Sequence, residues 1–148
     1  MDSKKTILTY SLLTFLIVLT DFITKELFKN KNTIIIPNIL EINYTKNYGL
    51  IYGFFKNNNF FTIILPMIIL IIFAYYFFYK SNNKKYLLPA TLVIAGILGN
   101  LISRIKYGYV IDFIYVPFLQ PIFPNFNIAD MSSFFGVLLL ATYLIKEK

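Results

Sequence analysis

Apolar residues fall in four long runs, about Ile7–Phe22, Phe60–Tyr79, Tyr86–Ile105 and Asn127–Ile145, separated by charged or mixed segments. A bilayer core of ~30 Å takes about 20 residues of helix. Each run is near that length, so the pattern predicts a mainly α membrane protein. It forms one domain over residues 1–148, with transmembrane helices at about 7–25, 60–79, 86–105 and 127–145. Lys4 and Lys5 precede the first run as in a secretory signal. That run lacks a small-residue cleavage site and continues into Asp21-Phe22-Ile23-Thr24-Lys25, so a retained anchor is expected. Pro66 in the second run predicts a kink.

With four spans, both termini and the loop at 80–86 share one side. That side carries Lys4, Lys5, Lys80, Lys84, Lys85, Lys146 and Lys148, half of the 14 basic residues. They crowd into short flanks, whereas the other half is spread over two long segments. The positive-inside rule then places the termini in the cytoplasm and the segments 26–59 and 106–126 outside. In the first segment, Thr33 to Tyr44 alternates in part, which predicts short strands and a small extracytoplasmic β-rich region. In the second, Pro117, Pro121 and Pro124 forbid a long helix, and its Phe and Ile content places it in the interface.

Composition sharpens this picture. The chain is 57% hydrophobic and 14% charged, with a mean hydropathy of +0.65. Soluble domains are about 45–50% apolar and roughly 25% charged. The net charge of +7 does not imply nucleic acid, because the lysines are scattered between apolar runs rather than gathered in a stripe. There is no Cys and no His, which excludes Ser-His and Cys-His nucleophile pairs, His-containing zinc sites, disulfides and thiol redox chemistry. Acid–base chemistry falls to Asp, Glu, Lys or Tyr.

The acidic residues are Asp2, Asp21, Glu26, Glu41, Asp112, Asp130 and Glu147. Asp112 and Asp130 stand among apolar neighbours, where an ionised carboxylate is costly and marks a candidate site. Asp130 has a plainer role open to it, since Asn127 suits the N-cap of the last helix and a carboxylate in the first turn is favoured there. Asp112 has none. It lies 18 residues upstream across a proline-containing turn that can fold back on the helix start. If the two meet, they cannot both ionise easily, which yields an acid and a base in one site. Such a pair activates water and protonates a leaving amine without metal or cofactor.

On the third run, Gly96, Asn100, Ser103 and Arg104 recur at helical spacing. Gly96 and Gly99 permit close helix approach, and the set serves either packing or a site. Arg104 is the single Arg of the chain. Its fork of donors suits a carboxylate, a phosphate or a peptide carbonyl, or it snorkels at the helix end. Asp21 and Lys25, four apart, form either a helix ion pair or part of the site. Asn47-Tyr48-Gly49-Leu50-Ile51-Tyr52-Gly53 is turn-like.

Together these residues resemble the lipoprotein signal peptidases, or signal peptidase II. The likeness runs from Asp21 and Lys25, through Asn47, Gly49 and Gly53, to Gly96-Ile97-Leu98-Gly99-Asn100 with Arg104. Its most specific parts are Gly108-Tyr109-Val110-Ile111-Asp112-Phe113 and Phe123-Pro124-Asn125-Phe126-Asn127-Ile128-Ala129-Asp130. Three positions depart from the family pattern: Ser103 replaces an Asp, Phe22 replaces a Gln and Tyr52 replaces Phe or Trp. The resemblance implies an aspartic endopeptidase of the bacterial inner (plasma) membrane. It would cut diacylglyceryl-modified prolipoproteins just before the lipid-modified Cys, with an outer-leaflet site. Asp112 and Asp130 would be catalytic, and Asn47, Gly49, Asn100, Arg104, Asn127, Asp21 and Lys25 would bind or orient. It also implies a short amphipathic, interfacial helix after Asp112. The expected partners are these lipidated precursors and membrane lipid, with the enzyme a monomer and no nucleic acid bound.

Two rivals remain at this level. One is a non-enzymatic scaffold or transporter subunit, although a proton path would place its acids near the bilayer midplane. The other is a Ser-Lys peptidase using Ser103 and Lys106.

Overall fold

A computed structural model describes residues 3–49, 55, 58–77, 83–120 and 122–146. Helix α1 runs Ser3–Phe28 and is followed by strands β1, Asn32–Ile36, and β2, Leu40–Asn47. A π-helical turn, Phe60–Ile64, leads into α2, Leu65–Tyr75, and a 3-10 turn, Lys84–Tyr86, leads into α3, Leu87–Tyr107. Strand β3, Val110–Tyr115, a 3-10 turn at Pro117–Leu119 and α4, Ile128–Ile145, complete the chain.

Among the described residues, three helices are long and apolar enough to cross a membrane: Lys5–Phe28, Lys84–Tyr107 and Ile128–Ile145. The second apolar run is helical over Phe60–Tyr75, which is shorter, and its end at Tyr79 lies outside the described residues. Pro66 stands inside the helical run Phe60–Tyr75, just after its π-helical turn. It has no N–H to donate to a preceding carbonyl, and the ladder changes from π to α spacing there.

Helix α3 is the hub, with α1, α2 and α4 packed around it. Its crossing with α4 depends on glycine. A Cβ on Gly96 would overlap the Ala129 carbonyl and the Ser133 hydroxyl, and one on Gly99 would lie 2.7 Å from Asp21 Oδ2 and 2.9 Å from Ala129 Cβ. Small residues let the backbones approach, as in membrane helix pairs generally. Helix α3 stops at Gly108, whose left-handed backbone (φ 77°) caps it by donating to Arg104 O at 2.9 Å.

The sheet is antiparallel in the order β1-β2-β3. Strands β1 and β2 are the short strands expected within 33–44. Strand β3 is not among the elements that the prolines of this segment suggest. Yet Val110-Ile111-Asp112-Phe113-Ile114-Tyr115 is rich in β-branched and aromatic residues. It pairs with β2 at Glu41↔Tyr115, Thr45↔Asp112 and Asn47↔Val110. Its inner side packs Ile111 and Phe113 with Ile42, against Phe28 and Ile128 at the helix ends. After β3, the described residues hold the three-residue Pro117–Leu119 turn, much shorter than an amphipathic helix; Pro121 lies outside them. The chain then folds back, and Phe126 bridges to Ile114, which delivers residue 127 beside β3.

Candidate active site

The site forms where β3, the end of β2 and the N-terminus of α4 meet α3. Asn127 has an extended backbone and caps α4: its side-chain oxygen accepts from Asp130 N, and the Asp130 carboxylate accepts from Asn127 N, a reciprocal capping box. Those contacts measure 2.9 Å and 3.2 Å. The Asn127 amide then donates to Asp112 Oδ1 at 2.6 Å. Asn127, fully buried, therefore touches both carboxylates. Capping α4 and lying near Asp112 are not alternatives for Asp130, because the same Asn127 makes both sets of contacts.

Each carboxylate has a second amide. Asn47, at the end of β2, donates to Asp112 Oδ2 at 3.1 Å. Asn100, on α3, donates to Asp130 Oδ1 at 2.7 Å. Asp112 is 3% exposed. Burial pushes its carboxyl up to about 7 from 3.8, and the neighbouring Asp130 charge pushes the same way. The amides of Asn47 and Asn127 and the Lys25 ammonium oppose that rise. An acid in this state holds a proton near neutral pH.

Asp21 and Lys25 form the expected ion pair, at 2.7 Å, but it is buried and shared with the site. Asp21 Oδ1 accepts from Ala129 N at 2.9 Å, and Lys25 Nζ donates to Asn100 Oδ1 at 2.9 Å. The pair thus fastens α1 to α4 and orients the amide that serves Asp130. Arg104 reaches the loop after β2 and donates to Gly49 O at 2.8 Å; of the ligands its fork suits, it takes a peptide carbonyl. Gly49 N donates to Asn47 Oδ1 at 3.1 Å, which orients the Asn47 amide toward Asp112. The Arg104 Nε–H is buried and unpaired among the described residues. Gly53 and Tyr52 lie outside the described residues.

Ser103 and Lys106 do not converge. Ser103 is buried in α3, while Lys106 is on the surface, paired with Glu26. Sequence reasoning missed two supports. Thr45 Oγ1 donates to Asp112 O at 3.2 Å, a contact legible only from the β2–β3 register. The Ala129 backbone N–H carries no sequence signal at all.

Long apolar helices around a small sheet, with two acids drawn together at their junction, define a helical membrane protein equipped for acid–base chemistry. Two solved structures of a bacterial membrane enzyme share this fold, both at 33% identity. One has a TM-score of 0.86 and covers 94% of this chain and 88% of its own; the other has a TM-score of 0.84 and covers 95% and 94%. The sequence pattern of the family described as "Signal peptidase (SPase) II" matches residues 13–146. Similar proteins named lipoprotein signal peptidase occur in Clostridium tetani (34% identity, 83% of this chain and 80% of the relative). Another occurs in Lactococcus lactis subsp. lactis (33% identity, 93% and 96%). The chain belongs to the signal peptidase II family, a family of proteases.

Proposed function

We propose that the protein removes signal peptides from bacterial prolipoproteins by hydrolysis between Asp112 and Asp130. The observation that carries this reading is Asn127, bonded at once to Asp112 Oδ1 and to Asp130. In the resting pair the two carboxyls share one proton, because burial and their mutual charge disfavour ionising both. Catalysis starts from the form in which Asp112 carries that proton and Asp130, which accepts from two N–H donors at the start of α4, is the anion.

Water attacks the scissile carbonyl carbon and gives a proton to Asp130, while Asp112 protonates the carbonyl oxygen. The tetrahedral intermediate then collapses. The C–N bond breaks, the leaving nitrogen takes the proton from Asp130, and Asp112 recovers its own from a hydroxyl of the new carboxyl group. The free Arg104 Nε–H and the Asn47–Gly49 turn receive the substrate backbone. The protein has four spans, with the second run completing the set. Its termini are cytoplasmic, and the site faces the outer leaflet of the plasma membrane, where a diacylglyceryl-modified Cys would hold the substrate.

Asp112→Asn and Asp130→Asn should each lower cleavage of a lipidated precursor by at least about 100-fold, with the protein still inserted. The measurement is conversion of precursor to mature lipoprotein by the purified enzyme. Full activity in either variant would overturn the mechanism.

A further inference from the structure

The β1–β2 hairpin is unlike the rest of the sheet. Ile42 on β2 and the first four residues of β3 are buried, whereas all five residues of β1 are exposed. A strand packed on one side and wet on the other alternates in exposure; β1 does not. Ile34, Ile35 and Ile36 are 62%, 53% and 45% exposed, and Ile39, past the turn, is 52% exposed. The turn is tight, with Asn38 at φ 60° and Ile39 N donating to Ile36 O at 3.1 Å. Asn38 at the turn and Glu41 opposite Ile34 apart, the tip presents isoleucine on both faces of β1.

The root is the opposite. Lys29 and Lys31 join α1 to β1. The Lys29 ammonium stands 4.3 Å from the Tyr107 ring centroid and that of Lys46 5.1 Å from Tyr109. The Tyr44 and Tyr109 hydroxyls are 3.2 Å apart. Among the described residues no carboxylate pairs with Lys29, Lys31 or Lys46.

We propose that this hairpin is a lipid anchor: its isoleucine tip enters the outer leaflet and its lysine–tyrosine root binds anionic phospholipid headgroups. The proposal rests on the reading that the sheet lies at the extracytoplasmic surface. Isoleucines flanked by lysine and tyrosine match the order of a bilayer, acyl chain then headgroup. Lysines that have no carboxylate partner among the described residues and stand near the surface favour anionic headgroups. The open edge of β1 sets the depth. Its unpaired N–H and C=O groups need polar partners, so the tip stops at the headgroup–acyl boundary. Because β2 pairs with β3 at Thr45↔Asp112, such an anchor also fixes the height of Asp112 relative to the leaflet.

The chain has no tryptophan, so one placed in the tip is a clean probe. The full chain carrying Ile35→Trp would be reconstituted in vesicles of brominated phosphatidylcholine, with and without phosphatidylglycerol. Ile39→Trp serves as a second probe should the first disturb the strand. The expected result is emission shifted to shorter wavelength and quenched by bromine, with quenching increased by phosphatidylglycerol. Lys29→Gln with Lys46→Gln should abolish that increase. Emission as in water from both probes would overturn the anchor, and a shift without quenching would show protein rather than lipid as the cover. Quenching indifferent to phosphatidylglycerol would overturn the headgroup role. None of these readouts requires peptidase activity, so they stand or fall separately from the proposed function.

Discussion

Lys25 and Glu26 are consecutive residues of α1, and each joins an ion pair with opposite surroundings. Lys25 and Asp21 are both 1% exposed, and their pair is tied to Asn100 and to the Ala129 N–H. Glu26 meets Lys106 and the Tyr107 hydroxyl at the surface, with side chains 36% and 45% exposed in the Glu26–Lys106 pair. Successive helical residues point about 100° apart, so one lysine faces α3 and α4 while the next residue faces solvent. The chemistry of the two pairs is the same. What differs is the solvent each has lost, and therefore what the removal of one partner leaves behind.

The comparison is broken most severely by Lys25→Met. It strands the Asp21 carboxylate in a dry site and frees Asn100 from its orienting donor. A loss of about 3–5 kcal/mol is expected from an uncompensated buried charge, along with loss of precursor cleavage. Thermal unfolding in detergent micelles and a cleavage assay would check both. Stability within error of the parent would show that water reaches the pair.

Gly96→Ala tests whether helix approach holds the buried region together. The added methyl meets the Ala129 carbonyl, so α4 must move away from α3, at about 1–3 kcal/mol for overpacking. The Asn100–Asp130 bond is lost with it, so cleavage should fall more than stability alone accounts for. A variant with parental activity would mean that α4 tolerates the displacement.

Raising the pH acts on the buried region through Asp112. The mechanism needs its proton, so cleavage should fall about tenfold per pH unit above 7. Stability follows with a defined sign. A carboxyl raised from 3.8 to about 7 on folding is protonated in the native state where the unfolded chain is already ionised. The contribution of Asp112 to stability is therefore fully present below about pH 4, declines as the pH rises to about 7, and is level above. Asp112→Asn should remove this part of the slope. An unchanged melting profile between pH 5 and pH 8 in parent and variant would contradict the raised value.

Glu26→Gln should change least. Breaking an exposed pair costs about 0–1 kcal/mol, and cleavage should stay at the parental level. A large loss of activity would place the Glu26–Lys106–Tyr107 cluster inside the site and erase the contrast.

Much of the molecule was legible before any fold was known. Hydropathy located the three long helices, because burying about 20 apolar residues in lipid needs no long-range information. Asn127 was readable as a cap, since a cap is a contact over three residues. Asp112 was suspect because an acid between isoleucine and phenylalanine has no local partner. The β3 strand was obscured by its prolines, although they lie just beyond it. The Asp21–Lys25 pair was ambiguous, because i,i+4 spacing is the same in water and in a core.

The sequence by itself determined the medium, the helical runs, the elimination of His and Cys chemistry, and which acids were out of place. Only the tertiary structure decided that one asparagine joins both acids, that Lys25 reaches Asn100, and that Arg104 holds the Gly49 carbonyl. The reason is range. Hydropathy, capping and charge cost depend on neighbours in the chain, whereas these three contacts join residues 15, 75 and 55 positions apart and exist only once helices and strands distant in the chain have packed together.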